Sequence, residues 1–285
     1  MSQLFDSIVI GSGPAGLAAA ISLKSRKKDF LLLGSKNLSS KIRRAPRVPN
    51  YLGLPSVSGS ELAESFSRHL KDMDISITDD HISTVYNMGE YFSAAGYLKV
   101  YEAKTIITAI GVSESGAIPG EERLLGRGVS YCATCDAALF KNKTVAVIGY
   151  CEEAVREVQF LCEVAGKVYY IPAARSADKP IPEADIIRGI IKEISGENRA
   201  ESLITEDKKI QVDGVFIIRE SSPPGALIPG IELHRGFIRV DSDMQTSIPG
   251  CFAAGDCTGK PHQFLRAAGQ GQTAGLSACA YLDSK

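Results

Sequence analysis

The 285-residue sequence predicts a three-layer α/β protein in which one nucleotide-binding-type domain is inserted into another. Three observations predict it. Ser7-Ile-Val-Ile-Gly11 is a short apolar strand that runs into a glycine turn and a helix of small residues. Thr144-Val-Ala-Val-Ile-Gly149 repeats the same plan in the middle of the chain. Ile248-Pro-Gly-Cys-Phe-Ala-Ala-Gly255-Asp256 supplies a late buried strand ending in Gly-Asp, followed by a small-residue helix from Arg266 onward. Two copies of strand, glycine turn and helix read as two Rossmann-like domains. Residues 1–113 and 236–285 form the first, discontinuous one; residues 114–235 form the inserted second one.

The elements follow in order. Phe30–Leu33 is the second strand of a parallel sheet buried on both faces. Pro, Ser, Arg and Gly dominate from Leu38 to Ser60, which predicts a long loop, and helical periodicity resumes from Gly59 to Met73. Thr105–Ile110 closes this part with another strand. Gly116–Arg127, rich in Gly and Glu, is the connector into the inserted domain. Within that domain, strands fall at Thr144–Gly149, Val168–Ile171 and Gly214–Ile218.

The formal charge of −1 argues against nucleic acid as a partner, and no apolar run approaches membrane-spanning length. Charge is nonetheless uneven. Residues 1–50 carry nine Lys/Arg against Asp6 and Asp29, a local excess of seven positive charges. A solvated helix end and loop account for it, and a docking patch for an acidic partner is the alternative. Seven cysteines without a secretory signal point to a reducing, cytoplasmic setting, where a closely spaced pair is catalytic and not structural.

That pair is Cys132-Ala-Thr-Cys135, followed directly by Asp136. Two intervening residues allow a small disulfide, and placement at a helix start lowers thiol pKa through free N–H groups and the helix dipole. Asp136 is positioned in sequence to carry the proton that thiol–disulfide exchange moves. No second short-spaced Cys pair with His supports a zinc site, so no metal is expected.

The two glycine loops differ. In Gly11-Ser12-Gly13-Pro14-Ala15-Gly16 the first glycine permits the turn, the second admits a pyrophosphate, and the third lets the helix pack on the strand. The strand ending at Leu33 leads to Gly34-Ser35, not to an acid that would hold a ribose. The second loop, Gly149-Tyr-Cys-Glu-Glu-Ala154, places Cys151 where the second glycine belongs and two acids, Glu152 and Glu153, where a pyrophosphate would sit. The strand after it leads to Pro172-Ala-Ala-Arg175, with one cation at most for a 2′-phosphate. The second domain therefore reads as a nucleotide fold kept as a scaffold.

Together these residues resemble the low-molecular-weight thioredoxin reductases over nearly the whole chain. The matching elements are Gly11–Gly16, Asn50-Tyr-Leu-Gly53, Gly126-Arg-Gly-Val-Ser-Tyr-Cys-Ala-Thr-Cys-Asp136, Thr246-Ser-Ile-Pro-Gly250, Ala253-Ala-Gly-Asp256, and Gln263 with Ala267-Ala-Gly269. The resemblance implies a flavoprotein whose discontinuous domain binds FAD. The implied contacts are Gly11, Ser12, Gly13, Pro14, Ala15, Gly16, Gly34, Ser35, Asn50, Ile82, Ala109, Gly111, Gly255, Asp256, His262, Gln263 and Phe264. It makes Cys135 the thiol facing the flavin, Cys132 the one that attacks thioredoxin, and Asp136 the proton donor and acceptor; it also implies a homodimer. Departures from the family pattern fall on the NADPH site, and His262 stands for the usual Arg of the flavin motif. This pattern is similar to the ferredoxin-dependent flavin thioredoxin reductases, which implies ferredoxin as the electron donor. An NAD(P)H-dependent reductase with an altered site, a flavin-dependent dithiol oxidase and a redox-sensing flavoprotein are the alternatives.

Overall fold

The computed structural model describes residues 3–112, 116–152, 154–219 and 223–285. It divides into two compact units, Met1–Val112 with Pro223–Lys285, and Ser113–Ser222. The α/β class with parallel sheets is as the sequence predicts.

The first unit opens with β1 (Leu4–Ile10), α1 (Pro14–Ser25) and β2 (Phe30–Leu33). Then come α2 (Ser40–Arg44), α3 (Gly59–Asp72), β3 (Ile77–Thr78), β4 (Ile82–Asn87), β5 (Phe92–Gly96) and β6 (Val100–Thr108). The expected 38–60 loop thus contains one short helix, and α3 begins with a capping box in which Ser58 and Glu61 exchange hydrogen bonds. Strands β4 and β5 of the antiparallel β4–β5–β6 meander, and the first half of β6, escaped the sequence reading, because these segments are half polar and lack a two-residue turn signal; the Thr105–Thr108 end of β6 falls within the expected strand.

The second unit contains α4 (Glu121–Leu124), β7 (Val129–Ser130), α5 (Ala133–Asp136), β8 (Thr144–Gly149), α6 (Ala154–Val164) and β9 (Lys167–Pro172). It continues with β10 (Asp185–Ile186), β11 (Ile191–Ser195), β12 (Ser202–Thr205), β13 (Lys209–Gln211) and β14 (Gly214–Ile218). Five strands make a parallel sheet in the order β10-β9-β8-β14-β7, and β11–β13 form a separate antiparallel sheet.

The chain returns through α7 (Pro224–Leu227), β15 (Leu233–His234), β16 (Phe237–Ile238), β17 (Cys251–Ala253) and α8 (Phe264–Asp283). The sheet of the first unit runs β3-β2-β1-β6-β5-β4, with β17 also parallel to β6. The compact first unit resumes at Pro223. The cause is burial: Leu227, Ile228 and Ile231 share a hydrophobic cluster with Ile8, Ile10 and Val85. The sequence there, rich in Pro and Gly, reads locally as loop. At the other boundary the unit changes after Val112, and residues 113–115 lie outside the described ones.

Candidate functional site

The first unit builds a cradle around its glycine loop. Gly11 has φ +116°, and a Cβ there would lie 2.3 Å from the Ala109 carbonyl oxygen. A Cβ on Gly16 would meet the Gly11 carbonyl at 1.8 Å, so strand, turn and helix close only with glycine at both ends. Gly13 differs: a Cβ would find only Ser39 Cβ, at 3.9 Å, and its face is open. α1 begins without a side-chain cap and without an acid in its first turn. Its N-terminal N–H groups and dipole are therefore available to an anion. An uncapped helix start beside an open glycine face fits a dinucleotide pyrophosphate.

The C-terminal segment joins this loop. A Cβ on Gly271 of α8 would strike the Ala15 carbonyl at 2.0 Å, and one on Gly275 would lie 2.8 Å from that of Ala19, so α8 packs on α1 through small residues. Gly255, at φ +85°, lies against Ala15, and its N–H donates to Gln270 Oε1 at 3.0 Å. Half-buried Asp256 is thus carried to the glycine loop. Gly34, whose N–H donates to Thr78, would crowd the Ser12 amide with any Cβ, while Ser35 accepts the N–H of Asn37 at 3.2 Å.

A second group gathers nearby in the chain's fold. Asn50 Nδ2 donates to Gln263 Oε1 at 2.8 Å, and both line a pocket of about 130 Å³ with Ala45, Arg47, His262 and Phe264. His262 also packs edge-on against Phe237. Gly111 is in the left-handed region with nothing near its Cβ position. Ile82 is placed differently. Its side chain is buried in the core cluster of β4, so only its backbone is left for a ligand.

In the second unit Cys132 and Cys135 form a disulfide with a Cα–Cα distance of 5.4 Å. Cys132 caps α5, and its Sγ accepts the Cys135 N–H at 3.1 Å, a contact that favours a thiolate at Cys132. Cys132 is buried and Cys135 exposed. Ser130, a residue the sequence reading passed over within its own matching block, accepts the Cys132 N–H at 3.1 Å and donates to Asp136 Oδ2 at 2.6 Å. One hydroxyl thereby ties the first cysteine to the Asp136 carboxylate. Five further cysteines lie outside this disulfide; burial pushes the thiols of Cys251 and Cys257 up to about 12, so they stay protonated and inert.

At the carboxyl ends of β8 and β14, where open α/β sheets receive nucleotides, a buried ion pair gathers with two tyrosines. Arg219, directly after β14, makes a fork of 2.6 and 2.8 Å bonds to Glu121, and the two are 4% and 3% exposed. Tyr131 donates to the same carboxylate at 2.9 Å, and the guanidinium lies 5.1 Å from the ring centroid of Tyr150, directly after β8. No local sequence signal joins these four, since 98 residues separate the ion pair. Cys151 is buried and Glu152 pairs with Lys179; Glu153 lies outside the described residues. Among the described residues no cluster suited to a metal ion occurs.

Comparison with known proteins places this geometry. A family profile described as pyridine nucleotide-disulphide oxidoreductase matches residues 5–179 and 187–271. A thioredoxin reductase of Listeria innocua is 32% identical over 303 residues, covering 99% of this chain and 95% of the relative. A crystal structure of a ferredoxin-flavin thioredoxin reductase from Clostridium acetobutylicum superposes with a TM-score of 0.96 at 42% identity, covering all of both chains. A second structure of a ferredoxin-flavin thioredoxin reductase from that organism gives 0.90 at 47% identity, covering 99% of this chain and 98% of the other.

Proposed function

We propose that this chain, which belongs to the pyridine nucleotide-disulphide oxidoreductase family and within it to the thioredoxin reductases, reduces thioredoxin through FAD and the Cys132–Cys135 dithiol, with electrons from reduced ferredoxin instead of NADPH. FAD, when bound, supplies the conversion of single electrons into a pair. Gly11–Gly16 and the start of α1 would hold its pyrophosphate, Asp256 would bond its sugar-like chain, and Asn50, His262, Gln263 and Phe264, which line a pocket, would contribute further contacts.

The reduced dithiol acts by exchange. Cys132, favoured as thiolate by the Cys135 N–H, attacks one sulfur of the thioredoxin disulfide and expels the other as a thiolate. Cys135 then attacks the Cys132 sulfur of the mixed disulfide, re-forming the Cys132–Cys135 bond and releasing the second thioredoxin thiol. Asp136, steered by Ser130, carries protons between these sulfurs. Cys132 is buried in the oxidised form, so it must become accessible before attacking a protein.

The observation that carries the choice of donor is the Glu121–Arg219 pair with Tyr131 and Tyr150, gathered at the strand ends a nicotinamide nucleotide would need. Ferredoxin as donor is supported by the likeness to the clostridial enzyme and by the basic segment Lys41–Arg47, suited to steering an acidic protein. The reading extends to a homodimer working in the cytoplasm. An anaerobic titration of the flavin with NADPH, NADH and reduced ferredoxin in parallel tests it: only ferredoxin bleaches the flavin, at a rate that falls with salt. Bleaching by NADPH refutes the donor assignment.

A further inference from the structure

We infer that Glu157 is a positioning residue of the dithiol, which keeps the pair strongly reducing by engaging the backbone N–H between the two cysteines. The inference rests on Cys132–Cys135 being the working disulfide. Glu157 lies on α6, 3% exposed, and its Oε2 accepts the N–H of Ala133 at 3.0 Å. Ala133 is itself fully buried, so no water replaces that acceptor. Three nearby N–H groups find partners within the turn: Cys132 N–H in Ser130 Oγ, Cys135 N–H in Cys132 Sγ, and Asp136 N–H in the Cys132 carbonyl. Ala133 alone of these four donates to a carboxylate on another helix.

The consequence follows from what each redox state offers. A disulfide sulfur is a poor acceptor, whereas a thiolate draws every N–H within reach. With the Ala133 N–H held by Glu157, the first turn of α5 has one donor fewer to give the Cys132 thiolate. Opening the disulfide is rewarded less, and the pair releases electrons more readily. Without the Glu157 carboxylate, the Ala133 N–H dipole beside Cys132 is no longer compensated, the first turn of α5 favours the Cys132 thiolate more strongly, and the dithiol form gains.

The test uses the full chain equilibrated with mixtures of reduced and oxidised dithiothreitol, read by mass after alkylation. Dithiothreitol gives up two electrons and two protons as its thiols close into a ring, and the Cys132–Cys135 bond takes them up as two thiols. Neither thioredoxin nor an electron donor takes part, so a failure here is distinct from a failure of the proposed function. Glu157→Met should shift the equilibrium about tenfold toward the dithiol, the equivalent of about 30 mV. Glu157→Gln, which keeps an acceptor of the same length, should stay within roughly threefold of the parent. A purely structural role would lower thermal stability in E157M without moving the equilibrium, and that result overturns the proposal. A shift in E157Q as large as that in E157M also overturns it, because charge and not the hydrogen bond would then be responsible. Should E157M not fold, Glu157→Leu and Glu157→Ala, which also remove the acceptor, take its place: a shift of the same size toward the dithiol upholds the proposal and an unmoved equilibrium overturns it.

Discussion

Replacing Arg219 by Met should destabilise the second unit more than any surface change in the protein. The guanidinium makes two bonds, 2.6 and 2.8 Å, to a Glu121 carboxylate that is 3% exposed, and covers the ring of Tyr150. Removing it leaves Glu121 with the Tyr131 hydroxyl and the Ile118 N–H, two donors without a compensating charge. Breaking a buried pair from one side costs about 3–5 kcal/mol, whereas removing both charges is close to neutral. R219M should therefore lose about that amount, and E121Q/R219M should recover most of it. The chain has no tryptophan, and Tyr131, Tyr150, Tyr169 and Tyr170 report on this unit, so urea unfolding followed by tyrosine fluorescence reads the effect. The pH dependence has a definite sign. Burial, the largest influence, raises the Glu121 pKa, but the bonds from Arg219, Ile118 and Tyr131 together hold it below its ordinary value. A depressed carboxyl contributes stability fully present above its unfolded pKa of about 4.3 and lost as pH falls through the lower folded value. The lone buried carboxyl of R219M has the opposite shift and gains by protonation. The gap between parent and variant should therefore narrow as pH falls through the carboxylate range. Equal urea midpoints at neutral pH, or a gap that widens in acid, would refute the reasoning.

Other outcomes follow from the same structure. Cys132→Ser should keep its bound flavin and lose thioredoxin reduction, measured by thioredoxin thiol release; surviving turnover would contradict the assigned order of attack. Asp136→Asn retains a partner for Ser130 but no longer carries protons, and turnover should fall roughly 100-fold with a changed pH profile. Gly13→Ala should leave folding intact, since its Cβ meets nothing closer than 3.9 Å, yet weaken flavin binding roughly tenfold, about 1.4 kcal/mol. Gly16→Ala should impair both, because its Cβ would lie 1.8 Å from a carbonyl oxygen, an overlap that costs about 1–3 kcal/mol or more. Flavin absorbance after gel filtration and thermal melting separate these two.

The glycine loop, the dithiol and the late Gly-Asp were legible because each is a local device. Gly11–Gly16 specifies a turn and a helix start within six residues, and Cys132–Asp136 closes a disulfide on a single helical turn. The alternation of apolar strands with small-residue helices likewise fixed the α/β class by local periodicity. Tertiary structure decided what joins residues distant in sequence. Pro223 returns the chain to the first unit because Leu227 and Ile228 find their core there. Arg219 meets Glu121 only because β14 ends beside α4, and Glu157 reaches Ala133 only because α6 packs on α5. Such contacts depend on helix and strand packing, for which a linear pattern carries no period. The sequence by itself thus determined which chemistry this protein has, and the packing of its second unit decided which side chains gather at the carboxyl ends of β8 and β14 and which carboxylate faces the dithiol.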